Sequence, residues 1–157
     1  MSVMADADVL ELNRLAYRYA AAVDACDVDA FLDVFDTDAR LRTYEPDADE
    51  PFADVVGHDQ LATIPRMMRE LFRRTAHLMT NHLVDVDGDG DTATGTLLCT
   101  ARHLSVDPTD ETALVVVIRY VDRYARRAGR WWIVDREIRF LWSERHPVVD
   151  SGMGRGE

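Results

Sequence analysis

The stretch LAYRYAAAVDACDVDAFLDVFDTDA (residues 15–39) predicts two helices in succession. Over residues 6–24, apolar side chains recur at the i, i+3, i+4, i+7 spacing of a one-sided helix. They are Leu12, Leu15, Ala16, Tyr19, Ala20 and Val23. Asp27 is a good N-cap, so a second, shorter helix is predicted to begin there and to bury Phe31, Leu32 and Phe35. The chain therefore begins with two helices whose apolar faces need a second layer of structure to cover them.

A loop and a third helix follow. Residues 45–57 contain two prolines and five acids, which predicts a loop. Apolar residues then share one side of a helix: Leu61, Ile64, Met68, Leu71 and Phe72. Pro65 lacks an N–H donor, so it should kink this helix or mark a restart.

After about residue 76 the apolar residues alternate, which predicts strands. The first ends at the turn DGDGD (87–91), and the others run over 92–103, 113–124 and 131–142, with a short early strand at 41–44. Helices followed by long antiparallel strands predict an α+β fold. We expect one domain over residues 1–146 and a loosely ordered tail over 147–157.

Composition restricts the function. The net charge is −11, the 18 basic residues are all Arg, and the excess of acids lies in residues 1–60. This balance disfavours nucleic acid as a partner. Two cysteines are too few for a disulfide framework, no apolar run has the length of a membrane helix, and the acidic start does not resemble a signal peptide. We therefore expect a cytoplasmic protein without a membrane partner.

Asp24 is the first candidate for chemistry. It lies at the flank of the apolar stripe, at the end of the first helix, where a carboxylate can reach into a cavity and meet a histidine. The alternative is a solvated carboxylate that closes the helix. Tyr19 lies near the centre of the same stripe.

Three histidines lie on the predicted strands. Alternation places His82 inward together with Leu78, Val84 and Val86. His77 is an odd number of residues away and would face outward unless a bulge or a preceding loop intervenes. His103 lies among small residues, which leaves room for a ligand or a large opposing side chain. The alternative for each is a hydrogen-bonded core histidine.

Arg136 alternates with apolar residues on the last strand, so it must meet an acid, an aromatic ring or a polar ligand. Tyr120, Tyr44 and Trp142 are further candidates for contact with a substrate. No close spacing of metal ligands and no phosphate-binding or nucleophile-elbow motif occurs, so neither a metal nor a cofactor is expected.

Three stretches together resemble the SnoaL-like family, within the superfamily of nuclear transport factor two, ketosteroid isomerase and scytalone dehydratase. They are residues 15–39, HLMTNHLVDVDGDGDTA (77–93) and YARRAGRWWIVDR (124–136), and the resemblance covers about residues 8–143. It implies a cone, in which a curved mixed sheet wraps around three helices and one deep pocket opens at the wide end.

The resemblance also implies roles for single residues. Asp24 matches the acid of the Asp–His pair in scytalone dehydratase, the related dehydrochlorinase and a bile-acid dehydratase. His82 and His103 resemble the two histidines of the scytalone enzyme, whereas His77, in H-x-x-x-N, fits the dehydrochlorinase. Tyr19 matches a tyrosine of the bile-acid enzyme, and Arg136 matches an arginine of the dehydrochlorinase pocket.

Two positions depart from the scytalone enzyme: Val23 replaces a tyrosine and Tyr120 an asparagine, which argues against that substrate. The resemblance implies a cofactor-free dehydratase, isomerase or cyclase acting on a hydrophobic, oxygenated small molecule such as a polyketide or steroid. It also implies a homodimer or higher homo-oligomer. The main alternative is a non-catalytic ligand carrier or dimerising accessory domain, and a metal-dependent oxygenase comes third.

Overall fold

Four helices and six strands make up the part of the chain, residues 3–148, that the computed structural model describes. Side chains are described from residue 6. The helices are α1 (Val3–Ala25), α2 (Val28–Leu32), α3 (Gly57–Leu61) and α4 (Thr63–Leu71). The strands are β1 (Phe35–Tyr44), β2 (Ala53–Val56), β3 (Phe72–Val86), β4 (Thr92–Ser105), β5 (Thr112–Arg127) and β6 (Arg130–Pro147).

The strands form one mixed, unclosed sheet in the order β2-β1-β6-β5-β4-β3. Strand β1 is parallel to β6, and all other neighbouring strands are antiparallel. Helix α1 lies across the sheet, mainly against β3, and the buried apolar side chains fill the space between them. The predicted α+β fold, a curved sheet wrapped around N-terminal helices, is therefore confirmed.

Helix boundaries follow the capping and proline signals. The Asp27 carboxylate accepts a hydrogen bond from the Ala30 N–H at 3.0 Å, so the predicted N-cap of α2 is confirmed. The third predicted helix is divided at Ala62 into α3 and α4. Pro65 lies in the first turn of α4, where a missing N–H costs little, so the proline follows a restart.

Several predicted element boundaries change: Phe35 and Phe72, which were expected on helices, are the first residues of β1 and β3. Residues 53–56 were expected in a loop but form the edge strand β2, which pairs with β1 on one side only. A short edge strand needs no alternating apolar pattern, and the acidic residues of this segment therefore led to the prediction of a loop. Most of the predicted tail, residues 149–157, lies outside the described residues, and Pro147 ends β6.

A β-bulge in β3 decides where its histidines point. Asn81 has a φ of 51°, and the pairing with β4 shifts between Thr80 and Leu83. The extra residue reverses the alternation, so His77 and His82 both face inward although they are five positions apart. The prediction that Leu78 shares the inward face is wrong, because it precedes the bulge and is 49 % exposed.

Gly95 of β4 makes room for the side chains around it. A Cβ at this position would lie 3.0 Å from the Tyr124 ring, 3.1 Å from His82 Nε2 and 3.2 Å from the Leu83 carbonyl oxygen. We therefore expect Gly95→Ala to lower the free energy of unfolding by about 1–3 kcal/mol through overpacking. Urea denaturation measures this, with Gly88→Ala as the control, because no atom lies within 4 Å of that Cβ. Equal losses in both variants would contradict the expectation.

Candidate active site

A cavity of about 310 Å³ lies between α1, α4 and the inner face of the sheet. Its walls are almost wholly apolar, and the polar side chains on them are two histidines, two tyrosines and two threonines. Its volume is at the lower end of the range for small-molecule pockets. The lining residues are Tyr19, Val23, Leu41, Thr43, Phe52, Ala53, Val55, Thr63, Ile64, Met67, Met68, His77, His103, Val116, Ile118, Tyr120, Ile138 and Phe140.

Asp24 and His77 meet beside this cavity. Oδ1 of Asp24 lies 2.7 Å from Nδ1 of His77 and accepts a second hydrogen bond, also of 2.7 Å, from the Thr75 hydroxyl. Oδ2 accepts the backbone N–H of His77 at 3.0 Å. The side chain of His77 is 6 % exposed and that of Asp24 is 28 % exposed. The end of α1 and the start of β3 therefore hold the two groups in one orientation.

The hydrogen bonds determine which nitrogen of His77 carries a proton. Burial raises the pKa of Asp24, but the hydrogen bonds from His77 and Thr75 outweigh burial and lower it, so the carboxylate is ionised at neutral pH. An ionised carboxylate only accepts, so Nδ1 of His77 must donate. In the neutral ring the lone pair then lies on Nε2, whereas the hydrogen bond of the ring to a described residue is made through Nδ1. His77 also lines the cavity, so a basic nitrogen is available there.

His103 lies next to His77 on the cavity wall. The ring centroids are 5.4 Å apart in an edge-to-face arrangement, and Phe72 covers His103 at 4.6 Å. Burial, helped by the neighbouring His77, lowers the pKa of His103 to about 4. His103 is therefore a neutral imidazole at neutral pH, able to accept or donate one hydrogen bond to a ligand.

The lowered pKa of His103 makes stability depend on pH. In the unfolded chain His103 binds a proton below about pH 6.5, whereas in the folded chain it stays neutral down to about pH 4. The contribution of the neutral His103 side chain to stability is therefore fully present above pH 6.5. It falls by up to about 3 kcal/mol as the pH is lowered from 6.5 to 4. We expect His103→Leu to lose less stability than the wild type between pH 7 and 4.5 in urea denaturation. Equal losses would contradict this assignment.

Tyr19 of α1 and Tyr120 of β5 form another part of the wall. Their rings contact each other edge to face with centroids 5.7 Å apart. Burial raises the pKa of Tyr19, and the charge of Arg136 opposes part of that rise. Burial likewise holds the pKa of Tyr120 well above its ordinary value. Both phenols therefore stay protonated and can donate hydrogen bonds at neutral pH.

The structure places His82 and Arg136 behind the wall of the cavity rather than on it. Nδ1 of His82 lies 2.8 Å from the side-chain oxygen of Asn13, and Nε2 lies 3.2 Å from the Tyr124 hydroxyl. Tyr124 in turn donates to Asp122 at 2.7 Å, and Asp122 pairs with Arg136. Both ring nitrogens of His82 are thus engaged within this buried polar network, which leaves His77 as the histidine that contacts Asp24.

Tyr44 and Trp142, the other residues expected to contact a substrate, do not line the cavity. Tyr44 is buried under the Arg139 guanidinium, whose carbon lies 4.0 Å from the ring centroid. Trp142 is 52 % exposed, and its indole N–H donates to Glu144 at 2.8 Å. A register shift between Val117 and Ile118 in the pairing of β5 with β6 interrupts the alternation of β6 between Arg136 and Trp142.

Two residues of the site were missed at the level of sequence. Thr75 lies two residues before His77, so the alternation of β3 could have placed its hydroxyl beside the same carboxylate. Asp122 lies between Tyr120 and Tyr124 on β5 and pairs in register with Arg136 across the turn at Gly129. The hairpin closes with Arg127 opposite Arg130, so unbroken pairing would set Asp122 opposite Asp135. A register shift between Arg123 and Tyr124 brings Asp122 opposite Arg136 instead, and the sequence carries no signal for that shift.

No group of three or more histidine, cysteine or acidic side chains in the described part of the chain is arranged to hold a metal ion. Within residues 3–148, no helix has both the length and the apolar character needed to cross a bilayer.

Comparisons with known proteins identify a matching family and structures of similar fold. The model of the SnoaL-like domain matches residues 6–137, whereas no curated protein matches the chain. A candidate scytalone dehydratase from Novosphingobium aromaticivorans DSM 12444 is 19 % identical, with a TM-score of 0.79 and full coverage (100 %) of both chains.

Two further solved structures have the same fold. A candidate aromatic ring hydroxylase from Novosphingobium aromaticivorans is 27 % identical, with a TM-score of 0.73, covering 88 % of this chain and 93 % of that chain. A hexachlorocyclohexane dehydrochlorinase from Novosphingobium barchaimii LL02 is 14 % identical, with a TM-score of 0.78 and coverage of 92 % and 93 %. The chain belongs to the SnoaL-like family.

Proposed function

We propose that the chain is a cofactor-independent enzyme of the dehydratase, isomerase or cyclase type. Its first step is removal of a proton by the Asp24–His77 pair from a hydrophobic, oxygenated small molecule. The observation that carries this proposal is the 2.7 Å contact between the Asp24 carboxylate and Nδ1 of His77, beside a cavity that His77 lines.

In this mechanism Nε2 of His77 takes a proton from a carbon next to a carbonyl group. The electron pair of the broken C–H bond forms a new C=C bond, and the π electron pair of the carbonyl group moves onto its oxygen, which gives an enolate. The imidazolium that results lies against the ionised Asp24, which stabilises the new positive charge. His77 then returns the proton to the substrate or to the departing group, so no external acid is consumed.

The enolate oxygen needs hydrogen-bond donors in a place that water does not reach. Tyr19 and Tyr120 are protonated phenols on the cavity wall, and neutral His103 is a third polar group beside His77. Elimination, double-bond isomerisation and aldol cyclisation all begin with this proton transfer. These residues therefore support the first step for all three reactions.

The cavity supports a substrate that is largely apolar. Its polar groups are few, and His77 and His103 lie side by side, so one end of the ligand would carry the carbonyl or hydroxyl group. At about 310 Å³ the cavity suits one or a few fused rings better than a long chain. Polyketide-like and steroid-like ketones are the classes that we propose.

Two features favour an enzyme over the alternatives. The cavity is open rather than filled by side chains, which argues against a dimerising accessory domain. The described contacts of Asp24 are to His77 and Thr75 rather than to an arginine, which argues against a ligand carrier. A carrier needs an apolar cavity but has no need for an ionised carboxylate that orients an imidazole in its wall.

A two-step experiment tests the proposal. Native mass spectrometry of the protein with a panel of hydroxylated polycyclic ketones identifies those that bind. The bound compounds are then incubated with the enzyme in D₂O, and proton NMR follows exchange at the carbon next to the carbonyl. We expect exchange well above the rate in buffer, because all three reactions begin there. A ketone that binds tightly but shows neither exchange nor a product would favour the carrier.

A further inference from the structure

We propose that Asp122 and Arg136 are positioning residues that polarise the tyrosine hydroxyls of the cavity, by holding a guanidinium against the rings of Tyr19 and Tyr120. This inference rests on the proposed function, because polarised hydroxyls matter for an enolate oxygen formed in the cavity. It also gives Arg136 a different role from contact with the substrate, since Arg136 does not line the cavity.

The ion pair is completely buried and held in one geometry. Nε of Arg136 donates to Oδ1 of Asp122 at 2.7 Å, and Nη2 donates to Oδ2 at 2.6 Å. Both side chains are 0 % exposed. The Tyr124 hydroxyl donates to the same Oδ2 at 2.7 Å, so Asp122 is held on two sides. A bidentate pair of this kind leaves the guanidinium little freedom to rotate.

The positive and negative ends of the ion pair contact different side chains. The guanidinium carbon lies 4.1 Å from the ring centroid of Tyr19 and 4.5 Å from that of Tyr120, which is the stacking distance of a cation on an aromatic ring. Asp122 occupies Nε and Nη2, and Nη1 is buried without a hydrogen-bond partner in the described part of the chain. The positive end therefore contacts the two tyrosines of the cavity, and the negative end contacts Tyr124.

A fixed positive charge beside a phenol makes its O–H a stronger donor, because the charge stabilises the electron density that a hydrogen bond moves onto the phenol oxygen. The charge of Arg136 lowers the pKa of Tyr19 and of Tyr120 against the larger effect of burial. The charge of Asp122 adds to burial in raising the pKa of Tyr124, and the charge of Arg136 opposes that rise as well. Arg136 thus lowers the pKa of all three tyrosines, whereas Asp122 raises the pKa of Tyr124, from which it accepts a hydrogen bond.

The test reads the ionisation of position 19 directly, without a substrate. Tyr19 is replaced by 3,5-difluorotyrosine, whose fluorines bring phenol ionisation toward neutral pH, and fluorine NMR follows its titration. In the double variant Asp122→Leu/Arg136→Leu we expect the ionisation constant to fall about tenfold, which is one pKa unit upward. Both partners are replaced together, because apolar residues in place of a buried pair usually preserve the fold.

The matched control is Arg40→Gln/Asp54→Asn. Arg40 and Asp54 form the same bidentate arrangement, at 2.8 and 2.6 Å, but on the exposed edge of the sheet. This control should leave the titration at position 19 unchanged. An ionisation constant in the folded Asp122→Leu/Arg136→Leu protein equal to that of the wild type would overturn the proposal. A tenfold change without any exchange on ketones would instead keep the positioning pair and reject the enzymatic function.

Discussion

His77→Gln should lower turnover of a ketone substrate about 10²–10⁴-fold, the usual contribution of a positioned general base. Glutamine can still donate to Asp24 from its amide, so the local hydrogen bonds and the fold are retained. It has no nitrogen that can take a proton near neutral pH. Stopped-flow or steady-state kinetics on a ketone found by the exchange screen measures the loss, and the reduction should appear in kcat.

Variants of two other histidines test whether the loss of turnover is specific to His77. His146 bonds to the Glu144 carboxylate at 2.8 Å but is exposed and lies outside the cavity, so His146→Gln removes a similar pair and should leave turnover near the wild-type value. His82→Gln should cost less than His77→Gln, because both nitrogens of His82 are engaged by Asn13 and Tyr124. A larger loss for His82→Gln than for His77→Gln would identify His82 as the base and contradict our assignment.

How far the sequence could predict this site depended on whether a residue lay on a regular element. Asp24 ends a helix of regular period, so its place at the flank of the apolar stripe could be derived from 100° per residue alone. His77 could not be placed in the same way, because a single left-handed residue, Asn81, reverses the alternation of β3. A bulge is a local backbone choice that alternation does not encode, although it was the condition under which His77 would turn inward.

The same limit explains why Arg136 and Trp142 do not line the cavity, although the sequence predicted that they contact the substrate. Arg136 and Trp142 follow one alternating pattern in the sequence, yet a register shift in the pairing of β5 with β6 separates a buried ion pair from an exposed indole. Periodicity also says nothing about partners on other strands. The need of Arg136 for an acid was clear from its apolar neighbours, whereas the identity of that acid as Asp122 depended on the register of the hairpin.

Arg136→Met alone should destabilise the fold by about 3–5 kcal/mol, because it leaves the Asp122 carboxylate buried without its counter-charge. Both side chains are 0 % exposed, so water cannot replace the lost hydrogen bonds without opening the core. The double variant Asp122→Leu/Arg136→Leu should be much closer to the wild type, since the desolvation cost of both charges disappears with their attraction. Urea denaturation at pH 7 compares the three proteins. If the single variant proves as stable as the double variant, then Asp122 either takes up a proton or reaches solvent at little cost, and the rigid, directed pair on which the polarisation of Tyr19 depends is absent.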